Sequence, residues 1–445
     1  MHRFVAGGGS RGEARADRPC PPCRRRLPRP WAAACAAAVA VLLAACGSSA
    51  TSSSTAAGSG PASPIKVGYL VPLTGTAAAN GQDEERGFNL GLQQFGKVVD
   101  GHPVQVTYLD TGSSPSVALS DARELVSQDH VQVVEGPLLA NQIEAVAPYV
   151  MGSGIPEDDL FLASPTQMND YKRYGLGFTS GWDAAQVASV GAKWAYGTMR
   201  WRHVVVVGDD YAFGWEMVGG FEAEFKQLGG TIDKSIWIPL DTVDVASYVS
   251  EIPKNTQAVY LELLGTQASN FFSDYHSYGL QGHVPLLGST TMTDQSVLPS
   301  VTPADGVGAY TVSQYCDDNP SAANQRFANA YHAAYGVYPA YYSEAGYTKA
   351  EILVSALKAL HGDVTSGSAL AKAMKAVSIS APRGPLAISP ATLSPVQDTY
   401  ICKVEDVGGS LRNVPFQTFS SVQPWGFLSQ SAWASAFAAD SVSRP

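Results

Sequence analysis

The sequence has 445 residues, of which 45% are hydrophobic and 15% charged, and its formal net charge is −10 at pH 7. This length favours two folded bodies over one, and the composition is that of a globular protein. The first 45 residues contain eight arginines and two acids, so residues 46–445 carry −16. A body this acidic argues against nucleic-acid binding, which needs a basic surface to neutralise phosphates.

The N-terminal region is typical of an export signal with a lipid anchor. Four arginines within residues 24–29 precede an almost continuous apolar run at 31–43, which is too short to span a bilayer. Small residues and Cys46 follow in a pattern that resembles the bacterial lipoprotein box. We expect residues 1–45 to be a signal peptide and Cys46 to carry the lipid. The alternative is an ordinary signal peptide with an incidental cysteine.

A tether is predicted directly after Cys46. Residues 46–63 are rich in Ser, Thr, Ala and Gly and contain no charge. Such a segment cannot bury enough apolar surface to fold, so we expect a flexible connection between the lipid and a folded body. No later run of 18 or more apolar residues exists, and no other membrane span is predicted.

Strands and helices alternate in the first half of the body. A β-rich run at 65–71 is followed by helical spacing at 83–95, with three acids in the first turn. Further strands are predicted at 104–109, 131–135 and 160–163, and further helices at 116–128 and 141–151. This alternation indicates βαβ units and a parallel sheet.

The alternation then repeats, beginning with a continuous Val run at 203–207 that suits a strand buried on both faces. Strands follow at 231–238, 258–263, 285–287 and 399–404, and helices at 214–228, 246–252, 267–278, 324–335 and 344–360. Ligands of open parallel sheets sit beyond the carboxyl ends of the strands. Two such sheets facing each other would hold a ligand between them and capture it by hinge closure.

The body resembles the type I periplasmic solute-binding proteins of the branched-chain amino acid group over about residues 64–415. The opening run at 65–75, Glu135-Gly136-Pro137 and Asp209-Asp210-Tyr211-Ala212-Phe213-Gly214 are similar to the family's strand ends and loops, in the family's order. Other pieces that carry the resemblance are Gly81-Gln82-Asp83, Gly154-Ile155-Pro156, Ala163-Ser164-Pro165-Thr166, the helix at 347–360 and Arg383-Gly384-Pro385.

This resemblance implies an α/β fold of two Rossmann-like lobes with parallel central sheets, joined by a hinge of three crossovers. We place the crossovers near residues 182–183, 311–314 and 400–402. Lobe one is then 64–182 plus 314–399, and lobe two is 183–311 plus 402–415. Residues 416–445 are left as a C-terminal extension.

The resemblance also implies where a ligand would bind. The expected ligand-binding residues are Asn80, Gly81, Ala140, Asn141, Ser164, Thr166, Phe213, Leu264, Thr290 and Tyr342. Hydroxyl groups and N–H groups at helix starts suit a carboxylate, and Phe213 suits an apolar wall. For each residue the alternative is a loop cap or a core position.

One position departs from the amino-acid binders of the family. Their usual glutamate, which pairs with the ligand's ammonium group, corresponds to Thr290 here. A buried ammonium without a counter-charge is costly. We therefore expect a partly apolar solute with a carboxylate or amide head in preference to a free α-amino acid, unless Glu262, Asp294 or Glu344 substitutes.

Two cysteines remain in the mature chain once Cys46 is lipidated, Cys316 and Cys402. An even pair in an oxidising compartment favours a disulfide, and the alternative is two free thiols. On the lobe assignment above, both cysteines lie beside the hinge.

Enzyme motifs, metal-ligand spacing and a phosphate-binding loop are absent from the sequence, so neither catalysis, a metal nor a cofactor is predicted. The expected function is a monomeric lipoprotein of the cell surface that delivers a solute to ABC transporter permease subunits. The alternatives are a sensor of the same fold that feeds a signalling partner, and an enzyme built on this scaffold.

Overall fold

The computed structural model describes residues 62–162 and 165–437. A six-stranded sheet is built from the first part of the chain, in the order β2-β3-β1-β4-β5-β6. All of its strand pairs are parallel except β2 with β3. Its strands are β1 (Ile65–Val71), β2 (Val98–Val99), β3 (His102–Asp110), β4 (Val133–Glu135), β5 (Glu157–Leu162) and β6 (Gly177–Asp183).

A nine-stranded sheet follows the path β12-β13-β14-β11-β10-β9-β7-β8, with β15 paired to β14. The strands β7 to β11 pair in parallel with one another, whereas every pair that includes one of β12 to β15 is antiparallel. They are β7 (His203–Asp209), β8 (Thr231–Ile238), β9 (Val259–Glu262), β10 (Leu286–Gly288), β11 (Tyr310–Ser313), β12 (Ser378–Ala381), β13 (Gly384–Ile388), β14 (Pro395–Val407) and β15 (Ser410–Val422).

Helices cover both sheets, as expected for parallel strands that are buried on two faces. They are α1 (Ala78–Phe95), α2 (Pro115–Glu124), α3 (Ala140–Gly152), α4 (Pro165–Tyr174), α5 (Ala184–Gly197), α6 (Ala212–Gln227), α7 (Ala246–Ser250), α8 (Gly265–Ser277), α9 (Pro303–Gly306), α10 (Ala322–Tyr335), α11 (Tyr341–Ala359), α12 (Gly367–Lys375) and α13 (Gln430–Phe437). A π-helical turn at Leu125–Asp129 extends α2, and a short 3-10 helix spans Leu298–Ser300.

The predicted α/β class with two mainly parallel sheets is confirmed. Among the helices in the described part of the chain, none combines the length and the apolar character needed to cross a membrane.

The chain leaves the first sheet and later returns to it. Strand β6 ends at Asp183, whose carboxylate caps α5 by accepting hydrogen bonds from the N–H groups of Ala185 (2.9 Å) and Gln186 (3.3 Å). After β11, helix α11 packs back along α1. A Cβ at Gly87 would collide with the carbonyl oxygen of Ser343, so this close helix contact requires glycine there. The lobe that contains the first sheet is therefore completed by chain that follows β11.

The described part of the C-terminal segment, residues 410–437, packs on the second sheet. Strand β15 pairs with β14 along almost its whole length, and α13 contacts α6. Trp433 is buried, and the N–H of Phe427 donates to Ser189 Oγ at 3.2 Å. This segment is an integral part of the fold.

In the structure Cys316 and Cys402 form a disulfide, with their Cα atoms 6.0 Å apart. Cys402 lies on β14, and Cys316 follows β11 by three residues. The bond therefore ties the chain that leaves β11 to the neighbouring strand β14.

Candidate functional site

Loops after the carboxyl ends of parallel strands bring the two lobes into contact. From the first sheet these are the loops after β1, β4 and β5, and from the second sheet those after β7, β9 and β10. This is the edge of an open parallel sheet at which ligands bind. The start of α11 adds a further wall, because its first residue, Tyr341, contacts Trp182 at the end of the first sheet.

Six aromatic residues meet at this junction, and we call them the cleft cluster: Phe161, Trp182, Tyr211, Phe213, Tyr341 and Tyr342. The ring of Phe213, in the second lobe, lies 5.0 Å from Phe161 and 5.5 Å from Trp182, both in the first lobe. Trp182 also contacts Tyr341 edge-on at 6.1 Å, and Tyr341 lies 3.9 Å from Tyr342. Edge-to-face and offset ring pairs of this kind suit an aromatic or flat apolar ligand.

Polar groups bridge the lobes around the cluster. Asn80 Nδ2 donates to Ser296 Oγ at 3.0 Å, and the N–H of Tyr341 donates to Asp294 Oδ2 at 2.8 Å. Burial raises the pKa of Asp294 to about 7, even though the N–H groups of Ser296 and Tyr341 act in the opposite direction. Hydrogen bonds as well as ring contacts therefore join the two lobes.

Two acids end adjacent strands of the second sheet. Asp209 is the last residue of β7 and Glu262 the last of β9, and both side chains are fully buried. Burial raises the pKa of Glu262 to about 8. Burial also raises the pKa of Asp209 well above its usual value, and the neighbouring Glu262 raises it further. No lysine or arginine in the described part of the chain offsets these two shifts.

Several expected ligand-binding residues come together at the junction. Phe213 and Tyr342 belong to the cleft cluster, Leu264 packs in the same core, and Asn80 bridges the lobes. Ala140 and Asn141 open α3, whose preceding residue Leu139 supplies no side-chain cap. Their roles as ligand contacts stay a prediction.

Other expected residues have different surroundings. The position of Gly81 is explained by packing, because a Cβ there would collide with the carbonyl oxygen of Pro72. Thr166 is exposed near the start of α4. The hydroxyl of Thr290 lies 2.7 Å from that of Ser313, so it already has a hydrogen-bond partner. Ser164 and Cys46 lie outside the described residues.

Glu344 is not available as a partner for a ligand amine. Its Oε2 lies 2.7 Å from Nε of Arg383, and both side chains are fully buried. Its Oε1 accepts a hydrogen bond from Thr348 at 2.8 Å. Of the three acids that could replace the missing glutamate, Glu344 is thus neutralised within the protein, whereas Glu262 and Asp294 lie beside the cleft cluster.

Sequence reasoning missed four members of the cleft cluster: Phe161, Trp182, Tyr211 and Tyr341. Phe161 was placed inside a strand, although its strand ends one residue later and its side chain reaches the cleft. The sequence places Trp182 at an expected crossover between the lobes and gives no sign that its ring contacts the cleft. Tyr211 and Tyr341 each lie within two residues of an expected ligand-binding residue, and this adjacency is the signal that could have found them.

Two buried polar groups beside the cluster have no hydrogen-bond partner among the described residues, namely Trp182 Nε1 and Glu262 Oε2. The first is a donor from the first lobe and the second an acceptor from the second lobe. Buried polar atoms are rarely left unpaired in proteins, so each of these calls for a partner.

A groove of about 600 Å³ opens beside the junction. It lies between α1 and the loop that contains the short 3-10 helix, and Asp83, Arg86, Gln295 and Tyr338 are among its lining residues. Residues of both lobes line the groove.

Comparison with known proteins places the chain among binding proteins. The sequence profile of a family described as periplasmic binding protein matches residues 64–409. A Leu/Ile/Val-binding protein homologue of Brucella abortus is 25% identical over 387 residues, covering 84% of this chain and 96% of that protein.

Several solved structures share 28% identity with this chain, and two of them have a bound ligand. One is a solute-binding protein of an ABC transporter from Rhodopseudomonas palustris in complex with 3,4-dihydroxybenzoic acid, with a TM-score of 0.76 and coverage of 81% of this chain and 98% of that one. The other is an R. palustris solute-binding protein in complex with benzoate, with a TM-score of 0.74 and coverage of 80% and 98%.

Proposed function

The chain belongs to the periplasmic binding protein family, and from that premise we propose that it captures a small aromatic carboxylate between its lobes and delivers it to the permease of an ABC importer. Its relatives are substrate-binding proteins of ABC transporters, not enzymes, and the family is extracytoplasmic. The lobes close about the crossovers near residues 182–183, 311–314 and 400–402, with lobe one at 64–182 plus 314–399 and lobe two at 183–311 plus 402–415.

The cleft cluster is the observation that carries this proposal. Its rings come from both lobes, and Phe213 contacts Phe161 and Trp182 across the junction. A benzoate-sized ring inserted here exchanges protein–protein ring contacts for protein–ligand ones of the same geometry. The relatives that bind benzoate and 3,4-dihydroxybenzoic acid support the same ligand class.

The carboxylate head is assigned to the first lobe. Helix α3 begins at Ala140 without a side-chain cap, and helix N-termini attract anions through their free N–H groups and their dipole. Asn141, Ser164 and Thr166 supply further donors in this assignment, as the family resemblance implies. The indole N–H of Trp182 is an additional donor from the same lobe.

A free α-amino acid is the less favoured ligand. Thr290 stands where the amino-acid binders have a glutamate, and Glu344 is paired with Arg383. An ammonium group in this cleft would depend on Glu262 or Asp294, both of which have raised pKa values because they are buried.

Isothermal titration calorimetry tests the ligand class. We expect benzoate or a hydroxybenzoate to bind with micromolar or tighter affinity, and leucine, isoleucine and valine to bind at least about 100-fold more weakly, as the cost of an unpaired buried amine requires. Phe213→Leu should weaken binding about tenfold through the loss of ring contacts. Phe225→Leu changes a buried aromatic of α6 outside the cluster and should leave affinity unchanged.

One result would overturn this proposal: micromolar or tighter binding of an unmodified amino acid while every carboxylate of the panel is silent.

We further propose that Cys46 carries a lipid, that residues 46–63 tether the body to the outer face of the cytoplasmic membrane, and that the protein acts as a monomer. The support is the lipoprotein-like box after the apolar run at 31–43. Cys46→Ala should move the protein from the membrane fraction to the soluble fraction. Retention of the variant in the membrane fraction at the wild-type level would contradict the anchor.

A further inference from the structure

Glu262 occupies an unusual place for a buried acid. It ends β9 and lies beside Gly208 of β7 in the strand register, one residue before Asp209. Its side chain is fully buried between the sheet and the start of α6, and a Cβ at Gly214 would lie 2.9 Å from Glu262 Oε2. Because Phe213 immediately precedes Gly214, the carboxylate lies at the base of the aromatic wall that the second lobe contributes.

The two oxygens of Glu262 are not equivalent. Oε1 accepts a hydrogen bond from Thr291 Oγ1 at 3.3 Å, whereas Oε2 has no partner in the part of the chain that the structure describes. The neighbouring carboxylate of Asp209 is also fully buried, and among these residues the backbone N–H of Leu264 is the one group that lowers its raised pKa. A buried acceptor that is left unpaired costs free energy, so Oε2 of Glu262 is matched to a donor that arrives from elsewhere.

The carboxylate is close to both lobes. Glu262 raises the pKa of Tyr211, from its own lobe, and that of Tyr342, from the opposite lobe, in each case in addition to the larger effect of burial. Both tyrosines belong to the cleft cluster. Glu262 is thus placed to meet a ligand held between these rings.

We propose that Glu262, supported by Asp209, accepts a hydrogen bond from a hydroxyl or amino group of the ligand, at the end opposite the carboxylate. The preferred ligand is then an aromatic carboxylate with a donor substituent on its ring, held by donors from the first lobe and by acceptors from the second. This inference rests on the proposed function and adds the specificity of its site.

A purely structural role for Glu262 makes a different prediction. An acid beneath the first turn of α6 is stabilised by the helix dipole, and its replacement would then alter folding stability. Such a change would affect all ligands alike. If Glu262 instead binds the donor group of the ligand, its replacement changes the ratio of the dissociation constants of benzoate and a donor-bearing ligand.

The experiment compares benzoate with 4-hydroxybenzoate, 3,4-dihydroxybenzoate and 4-(aminomethyl)benzoate by calorimetry on the full mature chain. In the wild type we expect at least one donor-bearing ligand to bind about tenfold or more tightly than benzoate, as expected for one additional buried hydrogen bond. Preference for the hydroxybenzoates identifies the donor as a hydroxyl group, and preference for the aminomethyl compound identifies it as an amine.

Glu262→Leu should reduce this preference to about onefold, and Glu262→Gln should reduce it at least about threefold, because one acceptor oxygen is lost. The matched control is Thr291→Val, which removes the hydrogen bond to Oε1 and leaves Oε2 in place, so the preference should persist. Urea unfolding shows which variants are folded. If Glu262→Leu does not fold, the ligand preference of Glu262→Gln decides the test.

Equal binding of benzoate and all donor-bearing ligands by the wild type overturns the inference, and so does a preference that survives in both Glu262 variants. If no aromatic carboxylate binds the wild type, the proposed function has failed and the inference falls with it. The wild-type titrations with all four ligands therefore separate the two failures.

Discussion

Arg383 and Glu344 form an ion pair at 2.7 Å in which both side chains are fully buried. Arg383 also donates to the carbonyl oxygen of Gly181 and, at 3.2 Å, to Gln397 Oε1. These contacts join β6, β14 and the start of α11, beside two of the expected crossovers. A single arginine thus connects three segments of the chain that lie far apart in the sequence.

We predict that Arg383→Met lowers the free energy of unfolding by about 3–5 kcal/mol, because Glu344 is then a buried charge without a partner. Urea unfolding measures this change. The double variant Arg383→Met/Glu344→Met should recover much of the loss, since no isolated charge remains.

The partly exposed pair Lys403–Glu405, in which Nζ and Oε1 are 3.7 Å apart, is the control. Lys403→Met should cost less than about 1 kcal/mol. An equal effect of Lys403→Met and Arg383→Met would contradict the role assigned to burial.

The sequence predicted the cleft residues that lie next to a recognisable motif. It missed those that reach the cleft only through the fold. Phe213 was found because it follows the Asp209-Asp210 motif. Trp182 was not, because its role depends on Tyr341, 159 positions later in the sequence. Such a contact leaves no local pattern.

The disulfide between Cys316 and Cys402 acts on elements. It closes a separation of 86 residues and joins the end of β11 to β14, which are already neighbours in the second sheet. A crosslink over so long a loop removes much conformational entropy from the unfolded chain.

We predict that Cys316→Ala/Cys402→Ala lowers the free energy of unfolding by about 2–4 kcal/mol. A reductant should lower the stability of the wild type similarly and leave the double variant unchanged. Urea unfolding with and without reductant measures both effects. Alkylation of the unreduced wild type at both cysteines, shown by peptide mapping, would exclude the bond.

Strands differ in how clearly their own sequence predicts them. Strand β7 contains four consecutive valines and was predicted, because a run of β-branched residues suits a doubly buried strand. Strand β6 reads Gly-Phe-Thr-Ser-Gly-Trp-Asp, has no such run, and was missed. Its strand conformation depends on parallel pairing with β5, which only the folded sheet supplies.

In the part of the chain that the structure describes, burial raises the pKa of several acids and favours their protonated forms. Burial raises the pKa of Asp158 to about 6, that of Asp159 to about 8 and that of Glu262 to about 8. Glu135 and Glu157, also fully buried, have pKa values well above the usual range for the same reason. In the unfolded chain these groups titrate near pH 4.

We therefore predict that stability falls as the pH rises from about 5 to about 8. In this window the folded chain binds more protons than the unfolded chain, so the free energy of unfolding has a negative slope against pH. The stabilising effect of the protonated acids is complete below about pH 4 and is lost as the pH passes their folded pKa values. Urea unfolding at pH 5, 6.5 and 8 measures this slope.

Asp159→Asn should make the slope less negative, because one of the shifted groups is removed. Asp241→Asn changes an exposed acid and should leave the slope unaltered. A stability that rises steadily from pH 5 to pH 8 in the wild type would refute this account.

The side chain of Gln186, in the first turn of α5, sets a condition on the order of folding. Its Nε2 donates to the carbonyl oxygens of Pro395 at 2.9 Å and Val422 at 2.8 Å, groups that lie 209 and 236 residues further along the chain. The amide can make both bonds only after almost all of the chain has been synthesised. Contacts of such long range slow folding. The first turn of α5 therefore completes its hydrogen bonds only when strands β14 and β15 have reached it.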